Sequence, residues 1–331
     1  MNDDSLLIAE DLTKYFPLDS GFLGRKSGEV KAVDGIDLRI RRGETFGLVG
    51  ESGCGKSTLG RTILRLEEPT SGKLEFDGHD LLAQDPESMR LLRREMQIVF
   101  QDPFSSLNPR KTIGSIIGEA FRVHNMFSRE ERKKKVSDLI SVVGLLPEHI
   151  HRYPHEFSGG QRQRVCIARA LALNPKLIVA DEPVSALDVS IQAQILNLLI
   201  TLQQQFQLTY LFISHDLGVV RHICDRVGVM YLGKIVELSP AAELYARPHH
   251  PYTKALLSAV LRPNPVKRDK RDVLSGDVPS PLTPPSGCAF HPRCSSCQKI
   301  CTEETPPIAE IGRGRFVACH FPINEEISED V

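Results

Sequence analysis

No charge of either sign dominates this 331-residue chain, in which 41 lysines and arginines stand against 42 aspartates and glutamates. Such a balance exerts no electrostatic pull toward nucleic acid or anionic lipid, and no nucleic-acid partner is expected. Long hydrophobic runs are missing too: none approaches the roughly 20 apolar residues that cross a bilayer. The start, Met1-Asn2-Asp3-Asp4-Ser5, is acidic and polar, the reverse of a basic-then-apolar export signal. These absences point to a soluble chain made in the cytoplasm and held at any membrane it serves by integral partners. Its length leaves room for more than one domain.

What the chain does contain begins at Gly50-Glu51-Ser52-Gly53-Cys54-Gly55-Lys56-Ser57-Thr58. The preceding residues Glu44 to Val49 read as a short buried strand, and Thr58 to Leu64 open a helix. Glycines between them admit backbone conformations closed to bulky residues, so that N–H groups converge on one point. The helix dipole adds to that field, Lys56 reaches β- and γ-phosphates, and the Ser57 hydroxyl suits Mg²⁺. This is the equipment for a nucleoside triphosphate.

About 125 residues further on, Leu177 to Ala180 form an apolar run of the kind buried in a parallel sheet, ending in Asp181-Glu182. Adjacent carboxylates at a strand exit point in different directions, Asp181 toward a metal shell and Glu182 toward an attacking water. Another core strand, Thr209 to Ser214, delivers His215 at its carboxyl end, the edge where open α/β sheets bind ligands. Between these segments, Ser158-Gly159-Gly160-Gln161 opens a helix running to Leu171, which makes a second anion site. One chain cannot direct both anion sites at one γ-phosphate.

In this order the motifs resemble the ATP-binding subunits of ABC transporters over residues 6 to about 240. The resemblance implies that Phe16 or its neighbour Tyr15 stacks on adenine. It implies that Gln101 is the Q-loop glutamine at the metal or the water, Ser185-Ala186-Leu187-Asp188 the D-loop, and His215 the switch histidine. Ser158 to Gln161 is similar to the family signature, Phe157 stands where leucine is usual before it, and residues 17 to 29 look inserted ahead of a strand from Val30 to Ile40. The implied architecture is an α/β P-loop ATPase core over residues 1–255 with an antiparallel β subdomain. A helical insertion at about 103–170 and a Cys-containing extension over 256–331 complete it. Helices are expected over 113–121 and 128–141, and Arg129 to Lys135, with mixed signs at helical spacing, reads as a solvated face. Val227 to Tyr231 and Lys234 to Leu238 read as closing strands around Leu232-Gly233. A soluble two-cassette factor is disfavoured, since the chain has neither a second Gly-Lys-Ser loop nor extended heptads.

Cysteine forms the other cluster: Cys54, Cys166 and Cys224 are scattered as small apolar fillers, whereas Cys288, Cys294, Cys297, Cys301 and Cys319 fall within 32 residues. In a cytoplasmic chain that density favours a metal or iron–sulfur site over disulfides, and some cross-link has to organise the proline-rich stretch 279–287. Zinc takes four tetrahedral Cys or His ligands and a [4Fe–4S] cube four thiolates, which spacing alone does not separate. Here His249-His250-Pro251-Tyr252-Thr253 and Gly287-Cys288-Ala289-Phe290 resemble the extension of dipeptide and oligopeptide importer ATPases, the second ATPase subunit of dipeptide permeases above all. That resemblance implies a [4Fe–4S] cluster on Cys288, Cys294, Cys301 and Cys319, with Cys297 a bystander. It further implies a second homologous ATPase as heterodimer partner, two integral permeases and an extracytoplasmic peptide-binding protein. The chain would then lie peripherally on the cytoplasmic face of the inner membrane, without touching the cargo.

Overall fold

The computed structural model describes residues 4–20, 25–259 and 276–323, so parts of the expected extension (260–275 and 324–331) and the first three residues lie outside the described residues. Two compact units emerge: the described parts of 1–40, 45–82 and 214–331, and a second built from 41–44 and 83–213.

The first unit holds an antiparallel sheet in the order Arg25–Arg41, Ser5–Ser20, Ser71–Phe76, His79–Asp80. Ile36, Leu38 and Ile40 are buried in strict alternation, with Val33 also buried, whereas residues 28–32 are not. The second strand nevertheless starts at Arg25 rather than Val30, because ladder hydrogen bonding continues along a ribbon that has no apolar face to betray it. A second set of strands in the same unit begins with Thr45–Val49, which pairs parallel with Arg226–Tyr231. That strand turns back into Lys234–Pro240 through Leu232 and Gly233, both at positive φ (43° and 83°), the turn conformation whose twist matches a hairpin. The tail supplies its own hairpin, Ala309–Gly312 with Arg315–Val317, and adds it to this set by pairing Glu237 with Val317 and Leu238 with Phe316. Backbone pairing, unforeseen in the sequence, thus anchors the tail whatever its cysteines hold.

The second unit is α/β. Met96–Val99, Leu177–Asp181 and Thr209–Ser214 run parallel in that order, and every residue of the last two strands is buried. Among its helices are Ile113–Val123 and Arg129–Val142, as expected from the sequence, the latter started by a capping box between Ser128 and Glu131. Only Val136 and Ile140 of the second helix are buried, so Arg129 to Lys135 do form a solvated face. No described helix is long and apolar enough to cross a membrane.

Leu211 is completely buried in the parallel strand Thr209–Ser214. Truncating it to alanine is expected to lower stability by roughly 2–5 kcal/mol in urea unfolding, whereas Lys133→Ala on the solvated helix changes it by less than about 0.5 kcal/mol.

Candidate nucleotide site and cysteine cluster

The loop after Thr45–Val49 adopts a conformation that only glycine permits at two points. Gly50 has φ 153° and Gly55 φ 109°, and a Cβ on them would stand 2.2 Å from the Met230 carbonyl oxygen and 1.9 Å from that of Ala32. Gly55 is the cap of the helix Lys56–Ile63 and offers no side chain to its first turn. Lys56 is 4% exposed. Its ammonium is folded over the loop, donating to the carbonyls of Gly50 (2.7 Å) and Glu51 (2.9 Å). Ser52 and Gly53 are exposed, while Ser57 and Thr58 sit half-buried in the first turn of the helix. Cys54 is buried beneath the loop, and burial pushes its thiol up, which keeps it a neutral filler beside Lys56.

Upstream, the Tyr15 hydroxyl hydrogen-bonds to Asp34, whose carboxylate also pairs with Lys234 at 3.0 Å, while the Lys14 ammonium lies 4.8 Å from the Phe16 ring centre. Successive residues of a strand face opposite ways, so one of these two aromatics, not both, can lie on a nucleotide. His215 also belongs to the first unit, exposed just beyond the buried strand Thr209–Ser214.

The remaining candidates lie in the second unit. Asp181 ends its strand at 3% exposure. Glu182 follows in a left-handed conformation (φ 46°), costly for a non-glycine residue, and its amide is tied to the Ile213 carbonyl at 3.0 Å. That turn swings the Glu182 carboxylate away from Asp181 and onto the side chain of Gln101, whose amide donates to it at 2.8 Å. Ser158 caps the helix Gly159–Leu171 in a reciprocal box: its hydroxyl accepts from the Gln161 amide (3.4 Å) and its own N–H donates to the Gln161 side chain (3.0 Å). Accepting that bond leaves the hydroxyl proton of Ser158, exposed at the helix start, free to be donated. A Cβ on Gly159 would be 3.3 Å from Leu187 of the D-loop and one on Gly160 2.5 Å from Ile191, so the D-loop and the helix Val189–Phe206, which starts after Asp188, lie against the signature.

In the first unit, Cys288, Cys294, Cys301 and Cys319 line one apolar hollow together with His250 and His291, whereas Cys297 is exposed outside that lining. Burial first, and neighbouring thiols after it, raise Cys288 and Cys294 and lift Cys319 to about 11. The hollow measures about 10 Å³, and among the described residues no group of three or more His, Cys, Asp or Glu side chains is placed to hold a metal ion.

One connection escaped the sequence reading. Arg293, in the turn between Cys288 and Cys294, grips both carboxylate oxygens of Glu51 in the phosphate loop, at 2.6 and 3.0 Å. Separated by 242 positions, the pair left no signal in one sequence.

A glycine cradle with a lysine over it, a strand ending in two carboxylates and a serine-capped helix define a P-loop ATPase of the ATP-binding cassette class. The family profile "ABC transporter" matches residues 33–185, and "Oligopeptide/dipeptide transporter, C-terminal region" matches 236–301. The chain is 58% identical to the oligopeptide transport ATP-binding protein AppF of Bacillus subtilis (strain 168), over 97% of this chain and 98% of that protein. It is 51% identical to the dipeptide transport ATP-binding protein DppF of Escherichia coli (strain K12), over 97% and 95%. Among solved structures it is similar to a dimeric ATP-binding cassette in a post-hydrolysis state bound to ADP and Pi (TM-score 0.63, 29% identity, 71% of this chain and 98% of that one). The chain belongs to the ATP-binding subunits of oligopeptide and dipeptide ABC transporters, and its activity is ATP hydrolysis.

The geometry of the loop yields a direct test. Gly55→Ala introduces about 1–3 kcal/mol of backbone strain plus a clash with the Ala32 carbonyl, and is expected to weaken binding of a fluorescent ATP analogue by roughly tenfold or more. Unchanged affinity would refute the role given to that glycine.

Proposed function

We propose that this chain is one of two ATPase motors of an inner-membrane importer of dipeptides or oligopeptides, working on the cytoplasmic face. Two integral permeases, an extracytoplasmic peptide-binding protein and a homologous second ATPase complete the assembly. The cargo makes no contact with the motor. The observation that carries this reading is the hydrogen bond from Gln101 to Glu182, for it wires a water-activating carboxylate to the segment that leads into the helical insertion.

Phosphoryl transfer to water needs positioning and charge neutralisation more than covalent help. Lys56 leaves the carbonyls of Gly50 and Glu51 to hold the β- and γ-phosphates, and amides from Gly53 to Thr58 cradle them. Phe16 or Tyr15 stacks on the adenine. Ser57, Asp181 and Gln101 offer the oxygen donors that suit Mg²⁺, which when bound neutralises charge on the β- and γ-oxygens. Glu182 orients and deprotonates the attacking water, and His215 stabilises the γ-phosphate. Ser158, with the amides of Gly159, Gly160 and Gln161, closes over the nucleotide held by the facing subunit, and Asp188 lines that dimer seam. Closure is thereby conditional on ATP in each cradle, and the insertion over about 103–170 passes it to the permeases.

For the extension, four thiols around one shielded hollow are the donor set of a [4Fe–4S] cube, with Cys288, Cys294, Cys301 and Cys319 as ligands. The fit is one of donor chemistry alone, since the hollow is smaller than a cube and the described thiols are not grouped to hold a metal. Bound there, the cube would fasten the tail.

Glu182→Gln is expected to keep ATP binding while turnover falls by about 10²–10⁴-fold, as for loss of a general base. Turnover at the normal rate would contradict the assignment. Protein purified without oxygen is expected to be brown and to contain iron and acid-labile sulfide in equal amounts, and a colourless, iron-free or zinc-loaded sample would remove the cluster.

A further inference from the structure

Glu51 is the most constrained residue of the phosphate loop, because all three of its polar groups are engaged. Its carbonyl accepts from the Lys56 ammonium (2.9 Å), and its amide donates to the hydroxyl of Tyr252 (2.9 Å), a fully buried residue of the helix Pro251–Ala259. Its carboxylate receives the guanidinium of Arg293 in a two-pronged bond, the geometry that fixes direction as well as distance. The Arg293 side chain is only 5% exposed and lies beside Tyr231, whose ring meets those of Tyr252 and Phe290 at 4.7 and 5.4 Å. Arg293 has little freedom of its own. Its amide bonds to the Phe290 carbonyl, within a turn that also joins His291 to Cys288 and Cys294 to His291.

From this arrangement we infer that Arg293 and Glu51 are positioning residues for ATP: the cysteine-bearing tail holds the phosphate loop in its nucleotide-accepting shape. The inference rests on the reading of the Lys56 loop as the nucleotide site, and adds that the site is incomplete without the tail. The physical basis is simple. A loop of glycines and small residues has many conformations to lose when it closes on a phosphate, and clamping one of its residues beforehand removes part of that loss. The clamp touches neither the reacting phosphate nor the water, so it acts on binding and leaves the chemical step alone. An intact cysteine turn would accordingly tune ATP affinity without any electron transfer to the site.

The test uses the full-length chain for titration with a fluorescent ATP analogue, and the assembled transporter for ATPase kinetics. Arg293→Met is expected to weaken analogue binding and raise KM for ATP by roughly tenfold while kcat stays within about twofold. Arg293→Lys, which keeps the charge but loses the fork, is expected to recover part of the affinity. Glu51→Gln is expected to weaken binding comparably, and the Glu51→Gln/Arg293→Met double variant to be no weaker than either alone, as one shared interaction requires. Wild-type affinity in both single variants, or losses that simply add, would overturn the inference. A merely structural role would instead lower thermal stability and kcat together and leave KM unmoved. If Arg293→Met does not fold, Arg293→Lys and Glu51→Gln, compared singly and combined, decide the same question. Lys56→Ala separates the two levels: analogue binding that survives it refutes the nucleotide site itself, whereas binding lost there but intact in Arg293→Met refutes only the clamp.

Discussion

A lysine ammonium buried to 4% exposure is expensive to keep in a protein, and here it is satisfied by two backbone carbonyls of its own loop. That arrangement depends on Gly50 and Gly55 taking conformations and standing at distances from Met230 and Ala32 that exclude any side chain. Carbonyl oxygens carry only partial charge, so a phosphate is a better partner for the same ammonium than the ones it has. The loop is consequently a receptor built around a cation awaiting an anion. Its strand, Thr45–Val49, exists to present it, with the backbone of Thr45 tied by its amide to the Asp225 carboxylate at 2.8 Å.

A second economy lies in the signature. Ser158 and Gln161 each satisfy the other's backbone N–H, so the helix Gly159–Leu171 carries a reciprocal cap before any nucleotide arrives. A cap that were only structural would be content with that. The glycines behind it serve another purpose: Gly160 lets the D-loop helix approach so closely that a single methyl group would collide with Ile191. The signature and the helix that follows the D-loop are therefore packed in close contact.

Much of this was legible in the sequence because each piece rests on local chemistry. The Gly50 to Thr58 loop, the Leu232-Gly233 hairpin and the helix after Ser128 all carry their own signals: glycine where φ must be positive, a hydroxyl and a glutamate three residues apart at a helix start. Features without a local signal stayed hidden. The ribbon from Arg25 has no apolar alternation, and the tail hairpin Ala309–Gly312 is mostly exposed, so neither declares itself as a strand. The grip of Arg293 on Glu51 is a purely tertiary fact. The sequence suggested a tail organised by its cysteines, and the fold adds a strand pairing and an ion pair that need no metal at all.

In the proposed motor the Lys56 cation and the Ser158 helix serve one triphosphate from opposite subunits. A structure of the assembled transporter carrying Glu182→Gln and soaked with Mg²⁺ and ATP tests it most directly. In it the Lys56 ammonium is expected to have left the carbonyls of Gly50 and Glu51 for the phosphates, with the serine-capped helix of the facing subunit on the γ-phosphate. A nucleotide bound with Lys56 still folded onto its loop, or with no second subunit against it, would contradict the account.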